Sequence, residues 1–403
     1  MLAIPVLTQF LHLFQKYDFP AGANSLWRLL PFIVTDLYLA AAIVRFKPGG
    51  TFTEKCLAAS WIIVQFAFIV ISPNLTGILI GAIVLLLVTL PAYFVYFSIC
   101  SRNPSFGPEL ERSLALLFII LAIGTFGLVF LGIQYKGADN LLVTRNISDT
   151  NVTMAYFILL WPFVLLHLKR IGSPVLPTFI LVLLFVAVVV LSFSRGAVFI
   201  VTPYLMASLL IGVSKKRLVW LTAAGIGTFV IFSPIIESFN ADLTYPWQLR
   251  FGEIHSAGPV LQKLQEASGR SNIRAFAYEL FLESPLYGHG TASFEILGPG
   301  YREAHSVFYT SLAEQGLLGT LYLYTLFVGL SYCLFKAAKC SGKNWLLLFA
   351  LAAYLVFVHS VGSVFVILPS KSLTINCIAP LLLICLYYYS KTVGQHPPIR
   401  NNA

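Results

Sequence analysis

Charge is what this sequence has least of. Of 403 residues, 10% are Asp, Glu, Lys or Arg, against about 25% in an ordinary soluble domain, which excludes a freely soluble globular protein. Acidic residues are scarcest, 16 in all, and Asp36 is the main one inside an apolar run. A proton-coupled transporter usually places carboxylates there. No Asp-x-Asp occurs, so a metal-held nucleotide-sugar site is unsupported. Neither a Gly-rich phosphate loop ending in Lys-Ser/Thr nor a Gly-x-Ser-x-Gly nucleophile turn is present. The 6 cysteines lie in or beside apolar runs without metal-ligand spacing, so neither a structural metal, a disulfide framework nor a redox or other cofactor is expected. The N-terminal stretch has no basic region followed by a cleavable apolar segment, and no removable signal peptide is expected.

What is present is apolar: 58% hydrophobic residues, with 33 Phe and 19 Tyr. A bilayer crossing takes about 20 apolar residues. Runs of that kind fall at 2–15, 26–45, 56–72, 75–98, 113–134, 152–168, 175–194, 197–213, 218–236, 316–335, 345–368 and 373–390. The reading is an all-α integral membrane protein of about twelve transmembrane helices, both termini on one side. Charge position tests it. Net charge is +10, which could suggest nucleic acid, but the basic residues sit in short connections. With the N-terminus cytoplasmic, the inner loops and tail hold fifteen Lys and Arg, from Arg45 to Arg400, and the short outer connections six. That is a positive-inside bias, and no nucleic-acid partner is expected.

One connection differs. Residues 237–304 form a polar stretch of 68 residues on the outer face, and loops this long are usually functional or disordered. Within it "SNIRAFAYELFLES" has Ile273, Phe276, Ala277, Leu280 and Phe281 at helical spacing. Pro285, Gly288 and Gly290 then mark a turn. The expected divisions are helices one to nine over 1–236, the outer loop with its amphipathic helix and histidine over 237–315, and helices ten to twelve with the tail over 316–403.

Three places carry candidate chemistry. Residues 175–213, 39 in number, would reach about 58 Å as one helix, so they fold as a hairpin with Ser194-Arg195-Gly196 at its outer tip. Arg195 there is either functional or an arginine snorkelling to headgroups. Arg270 and Arg274 stand four apart and share a helical face. They suit bidentate phosphate contacts or form a solvated basic face. His305 heads a stretch of 31 residues to 335, too long for one perpendicular crossing, with Gly316 the expected break. That puts His305 at the start of a short surface helix over 305–315. It is a proton acceptor at neutral pH or an interfacial histidine without a role.

In this order the residues resemble the O-antigen ligase family, which includes related polymerases and bacterial protein oligosaccharyltransferases. The family signature is His, then Asn, Ser or Gln, nine arbitrary residues, Gly, two more, and Gly, Thr or Tyr. Here His305-Ser306 is followed by nine residues and then Gly316-Leu-Leu-Gly319. "GRSNIRAFAYELFLESPLYGHGTASF" is similar to the family's second motif, with Arg274 where a Trp is common, and "SFSRGA" to its arginine at an outer helix junction. The motifs cover about 195–320. The resemblance implies metal-independent, inverting transfer of a glycan from undecaprenyl diphosphate to a sugar hydroxyl of lipid A–core, on the periplasmic face of a bacterial inner membrane. It implies His305 as general base, Arg195, Arg270 and Arg274 on the diphosphate, and Gly316 and Gly319 allowing close approach around a membrane-embedded lipid tail. A polymerase with the same donor type is the alternative within the family. A twelve-helix transporter is the alternative from another class, and it would call for internal repeats and polar, broken helices at mid-membrane.

Overall fold

The computed structural model describes residues 26–46, 51–130, 134–136, 142–144, 150–172, 175–191, 196–212, 219, 270–298, 303–362, 365 and 378–395. The expected runs at 2–15 and 218–236 lie outside the described residues, apart from residue 219. Among those described, the helices are α1 (Leu26–Phe46), α2 (Phe52–Val70), α3 (Leu75–Cys100), α4 (Phe106–Phe130), α5 (Thr150–Arg170), α6 (Val175–Leu191), α7 (Ala197–Val201 continuing as Thr202–Gly212), α8 (Arg270–Glu283), α9 (Phe294–Leu297), α10 (Val307–Cys340), α11 (Trp345–Ser360) and α12 (Ile378–Gln395). Ten of these coincide with expected apolar runs; α8 and α9 belong to the long connection. By length and composition α2, α3 and α10 are able to cross a bilayer, and α6, α7 and α11 contain shorter apolar stretches.

The structure adds what the all-helical reading lacks. An antiparallel ribbon pairs Gln134–Lys136 with Leu142–Thr144, Tyr135 opposite Val143. Aromatic and β-branched side chains suit such a pair, and the apolar run at 113–134 hid its start. Helix α3 is wound as a π-helix over Ile83–Thr89, and α7 opens with a π-turn over Ala197–Val201.

Helix α5 is the centre of the bundle. Every residue from Met154 to Trp161 is fully buried, as expected of a helix that is hydrophobic all round. Around it, Phe118, Phe157, Trp161 and Phe185 form an aromatic cluster with ring centroids 5.1–5.9 Å apart. The Trp161 indole donates to Ser208 Oγ at 2.8 Å. Outward faces carry exposed Val34, Ile63, Leu210, Leu321, Val328 and Val356, an apolar exterior that suits lipid.

The Lys and Arg ion pairs mark one end of the bundle and a set of loop contacts the other. At one end Arg170 grips Glu111 with two hydrogen bonds of 2.6 Å, and Lys391 binds Glu54 at 2.6 Å. Glu54 also closes a capping box with Thr51 at the start of α2. At the opposite end, Ser72 and Asn74 after α2 bind the carbonyls of Thr291 and Ala292, and the end of α11 meets α8. Successive helix ends therefore alternate, and the candidate residues described below gather at the second end.

Candidate active site

Helix α8 is fixed by its apolar spacing. Ile273, Ala277 and Leu280 are buried and, with Phe294, Ala304 and Ala313, form a small core separate from that of the bundle. It seats α8 on the first turns of α10. Ser284 precedes Pro285, a position that disfavours helix, and the chain turns back through Gly288 and Gly290, both with positive φ.

This turn fills a break in α10. Gly316 has φ 59° and ψ −162°, a region essentially reserved for glycine. The break frees two carbonyls and two amides, and the turn takes all four. His289 and Gly290 donate to the carbonyls of Ala313 and Glu314 at 3.0 and 2.7 Å, while Leu317 and Leu318 donate to those of Pro285 and Leu286 at 2.8 and 3.2 Å. These four backbone groups are thus paired despite the break. Fit is close: a Cβ on Gly288 would lie 2.5 Å from the Glu314 carbonyl carbon. The Glu314 carboxylate, buried, accepts from the Phe294 amide at 3.4 Å. Gly319, one turn on, lies against Phe68 of α2 and the Gln315 side chain. Gly319 therefore serves a helix approach, whereas Gly316 serves the break and its plug.

The half-helix 307–315 begins at Ser306, whose backbone is extended. His305 precedes it in a left-handed conformation, φ 50°, at a cost of roughly 1–3 kcal/mol. Its carbonyl accepts from Arg274 Nη2 at 3.2 Å. The same nitrogen donates to the carbonyls of His359 and Ser360 at 3.4 and 3.1 Å, and Arg270 Nη1 lies 3.5 Å from the Ser360 carbonyl. Those carbonyls end α11, where unpaired acceptors and the helix dipole favour a cation. Arg274 Nε is buried without a hydrogen-bond partner, so the guanidinium keeps donor capacity beyond these contacts. The His305 Nδ1 lies 3.4 Å from Glu303 Oε1, within ion-pair reach but without hydrogen-bond geometry.

Beside Arg274 opens an apolar groove of about 980 Å³ between α8 and α10, lined by Tyr278, Phe281, Phe308, Leu312, Leu321 and Tyr324 among others. His305 is not part of its lining. Tyr324 also meets the His359 ring in a short hydrogen bond to Nε2. The other ring nitrogen of His359 faces the Leu355 carbonyl at 2.6 Å. A carbonyl only accepts, so Nδ1 carries the hydrogen and Tyr324 donates.

Of the residues singled out in the sequence, the structure brings Arg270, Arg274 and His305 together around the end of α11. Arg195 lies outside the described residues; its neighbour Gly196 packs on Val361, next to Ser360. Glu303 and Tyr324 were not singled out in the sequence, and His359 had no polar partner there that could be named. Glu303 sits two residues before the histidine of the motif, a signal that was available. The Tyr324–His359 pair joins two helices and has no local signature. Among the described residues no cluster of three or more His, Cys, Asp or Glu is placed to hold a metal ion.

Comparison with protein families matches residues 179–324 to the family described as O-Antigen ligase. That stretch contains Arg195, both loop arginines, the plugged break and the whole histidine signature. No curated protein matches the chain.

Proposed function

We infer, from the match of residues 179–324 to the O-antigen ligase family, that the protein moves a glycan from undecaprenyl diphosphate to a sugar hydroxyl of lipid A–core, at the periplasmic face of a bacterial inner membrane. Membrane-crossing helices and the family match support a membrane glycosyltransferase of the ligase and polymerase type. The observation that carries the finer reading is the convergence of two arginines and a histidine beside an apolar groove.

No nucleotide is supplied outside the cytoplasm, so the energy of transfer resides in the donor's glycosyl–phosphate bond. The acceptor oxygen attacks the anomeric carbon as that bond breaks, and the electron pair leaves with the lipid diphosphate. One displacement inverts the anomeric centre. His305 takes the proton from the attacking hydroxyl. The leaving diphosphate needs neutralisation more than protonation. Arg270 and Arg274, together with Arg195 as the family resemblance implies, supply it at a poorly hydrated site. Arg274 stands nearest to this role, because its Nε is buried and unpaired while its Nη2 is already fixed.

The test is reconstitution of the full chain with an undecaprenyl-diphosphate-linked glycan and lipid A–core in EDTA. Glycan on the core, abolished by His305→Ala and strongly reduced by Arg270→Ala, is the expected result. Lengthened lipid-linked glycan with untouched core would make the protein a polymerase. Full-rate transfer by His305→Ala would remove the histidine from the chemistry.

A further inference from the structure

We propose that Glu303 is a positioning residue for His305: its carboxylate holds the Nδ1 side of the imidazole so that Nε2 faces the acceptor with a free lone pair. The proposal rests on His305 being the base, as read above. Three observations carry it. Glu303 Oε1 is the group facing Nδ1, at 3.4 Å, and the two side chains are only 23% and 31% exposed. Nδ1 is buried and has no hydrogen-bond partner. The turn bearing both side chains is pinned at consecutive residues. The Ala304 amide donates to Thr310 Oγ1 at 3.2 Å, the His305 carbonyl accepts from Arg274 at 3.2 Å, and the Ser306 carbonyl accepts from the Thr310 amide at 2.9 Å.

A rigid turn that holds His305 in a left-handed conformation fixes where its ring emerges. It leaves the choice of which nitrogen carries the hydrogen to the partner of Nδ1. A carboxylate only accepts, so the hydrogen sits on Nδ1 and Nε2 becomes the proton acceptor. The spacing exceeds the usual 2.7–3.2 Å of a hydrogen bond, and catalytic contacts of this kind shorten when substrate binds. In the transfer step the acceptor proton moves to Nε2 while the oxygen bonds to the anomeric carbon and the diphosphate departs. The Glu303 carboxylate faces the imidazolium that forms. Its assigned part in the transfer runs through the histidine, with no contact to sugar or diphosphate required.

The experiment compares Glu303→Gln, Glu303→Asp and His305→Ala with the wild type, in the full chain reconstituted with the two lipid substrates. Readouts are kcat, acceptor KM and the unfolding midpoint in detergent. An amide can donate into Nδ1 and drive the hydrogen onto Nε2, so Glu303→Gln is expected to lower kcat by ~10²–10⁴-fold with KM and midpoint unchanged. Glu303→Asp keeps the carboxylate and is expected to recover to within about tenfold of wild type. Full-rate Glu303→Gln beside inactive His305→Ala would overturn the proposal and leave the histidine as base. Equal losses in Gln and Asp with a lowered midpoint would also overturn it, marking Glu303 as structural. Full-rate His305→Ala would overturn both readings.

Discussion

Arg274 uses one nitrogen on three backbone carbonyls, those of His305, His359 and Ser360, and so ties the turn before α10 to the end of α11. Sequence reading gave it a solvated surface or a phosphate. The structure gives it a cap on a helix C-terminus, with donors to spare. Lysine carries the same charge as a compact point donor and cannot reproduce the planar fork. Arg274→Lys is therefore expected to leave at least one carbonyl unpaired, at about 1–3 kcal/mol. Initial transfer rates at saturating donor are expected to fall roughly 10–100-fold, since 1.4 kcal/mol is tenfold. An unchanged rate would remove this residue from the site. The contact was not legible beforehand, because its partners are main-chain oxygens up to 86 positions away and carbonyls have no side-chain identity to read.

Helix α10 is two helices sharing one axis label, and the turn over 285–290 is what completes them. Gly316 was legible from length alone, since 31 residues cannot form one perpendicular crossing. The plug was not, because pairing across a break depends on a fold that brings two turns together. The two signature glycines are expected to respond differently to alanine. Gly316→Ala forces a Cβ to within 2.5 Å of the Leu286 carbonyl group in a conformation that alanine resists, at roughly 3 kcal/mol or more. Gly319→Ala keeps an ordinary helical backbone but puts a Cβ 2.3 Å from the Gln315 Cβ and 2.9 Å from a Phe68 ring carbon, so the neighbouring turn and ring must shift, at about 1–3 kcal/mol. Thermal unfolding in detergent should show the first variant well below the second; equal midpoints would mean that the break is not required.

For the molecule as a whole, the end holding Glu54, Glu111, Arg170 and Lys391 opposes the end holding the candidate site. From the charge bias of the sequence, the first end is expected to face the cytoplasm. Cys56 and Cys340 are exposed near it. In single-cysteine variants of intact cells, an impermeant maleimide is expected to miss both, while labelling Tyr287→Cys on the plug. Inverted vesicles should reverse the pattern, and labelling of Cys340 in intact cells would turn the protein over. At this scale the sequence was informative, since hydropathy and charge are sums over many residues. It was poor at short elements, where the ribbon at Gln134–Lys136 and Leu142–Thr144 has too few residues to stand out from a neighbouring apolar run.

The stretch 307–315 has one further consequence. Its nine residues rise about 13 Å as helix, bolted at the break by the plug and carrying His305 at the free end. Adding one residue would swing the imidazole by about 100° around the axis, from 3.6 residues per turn, out of the turn that Arg274 and Thr310 pin. The interval behaves as a gauge block, and what it sets is a residue count. A motif with nine unspecified positions is thus a constraint on length, enforced by backbone geometry alone.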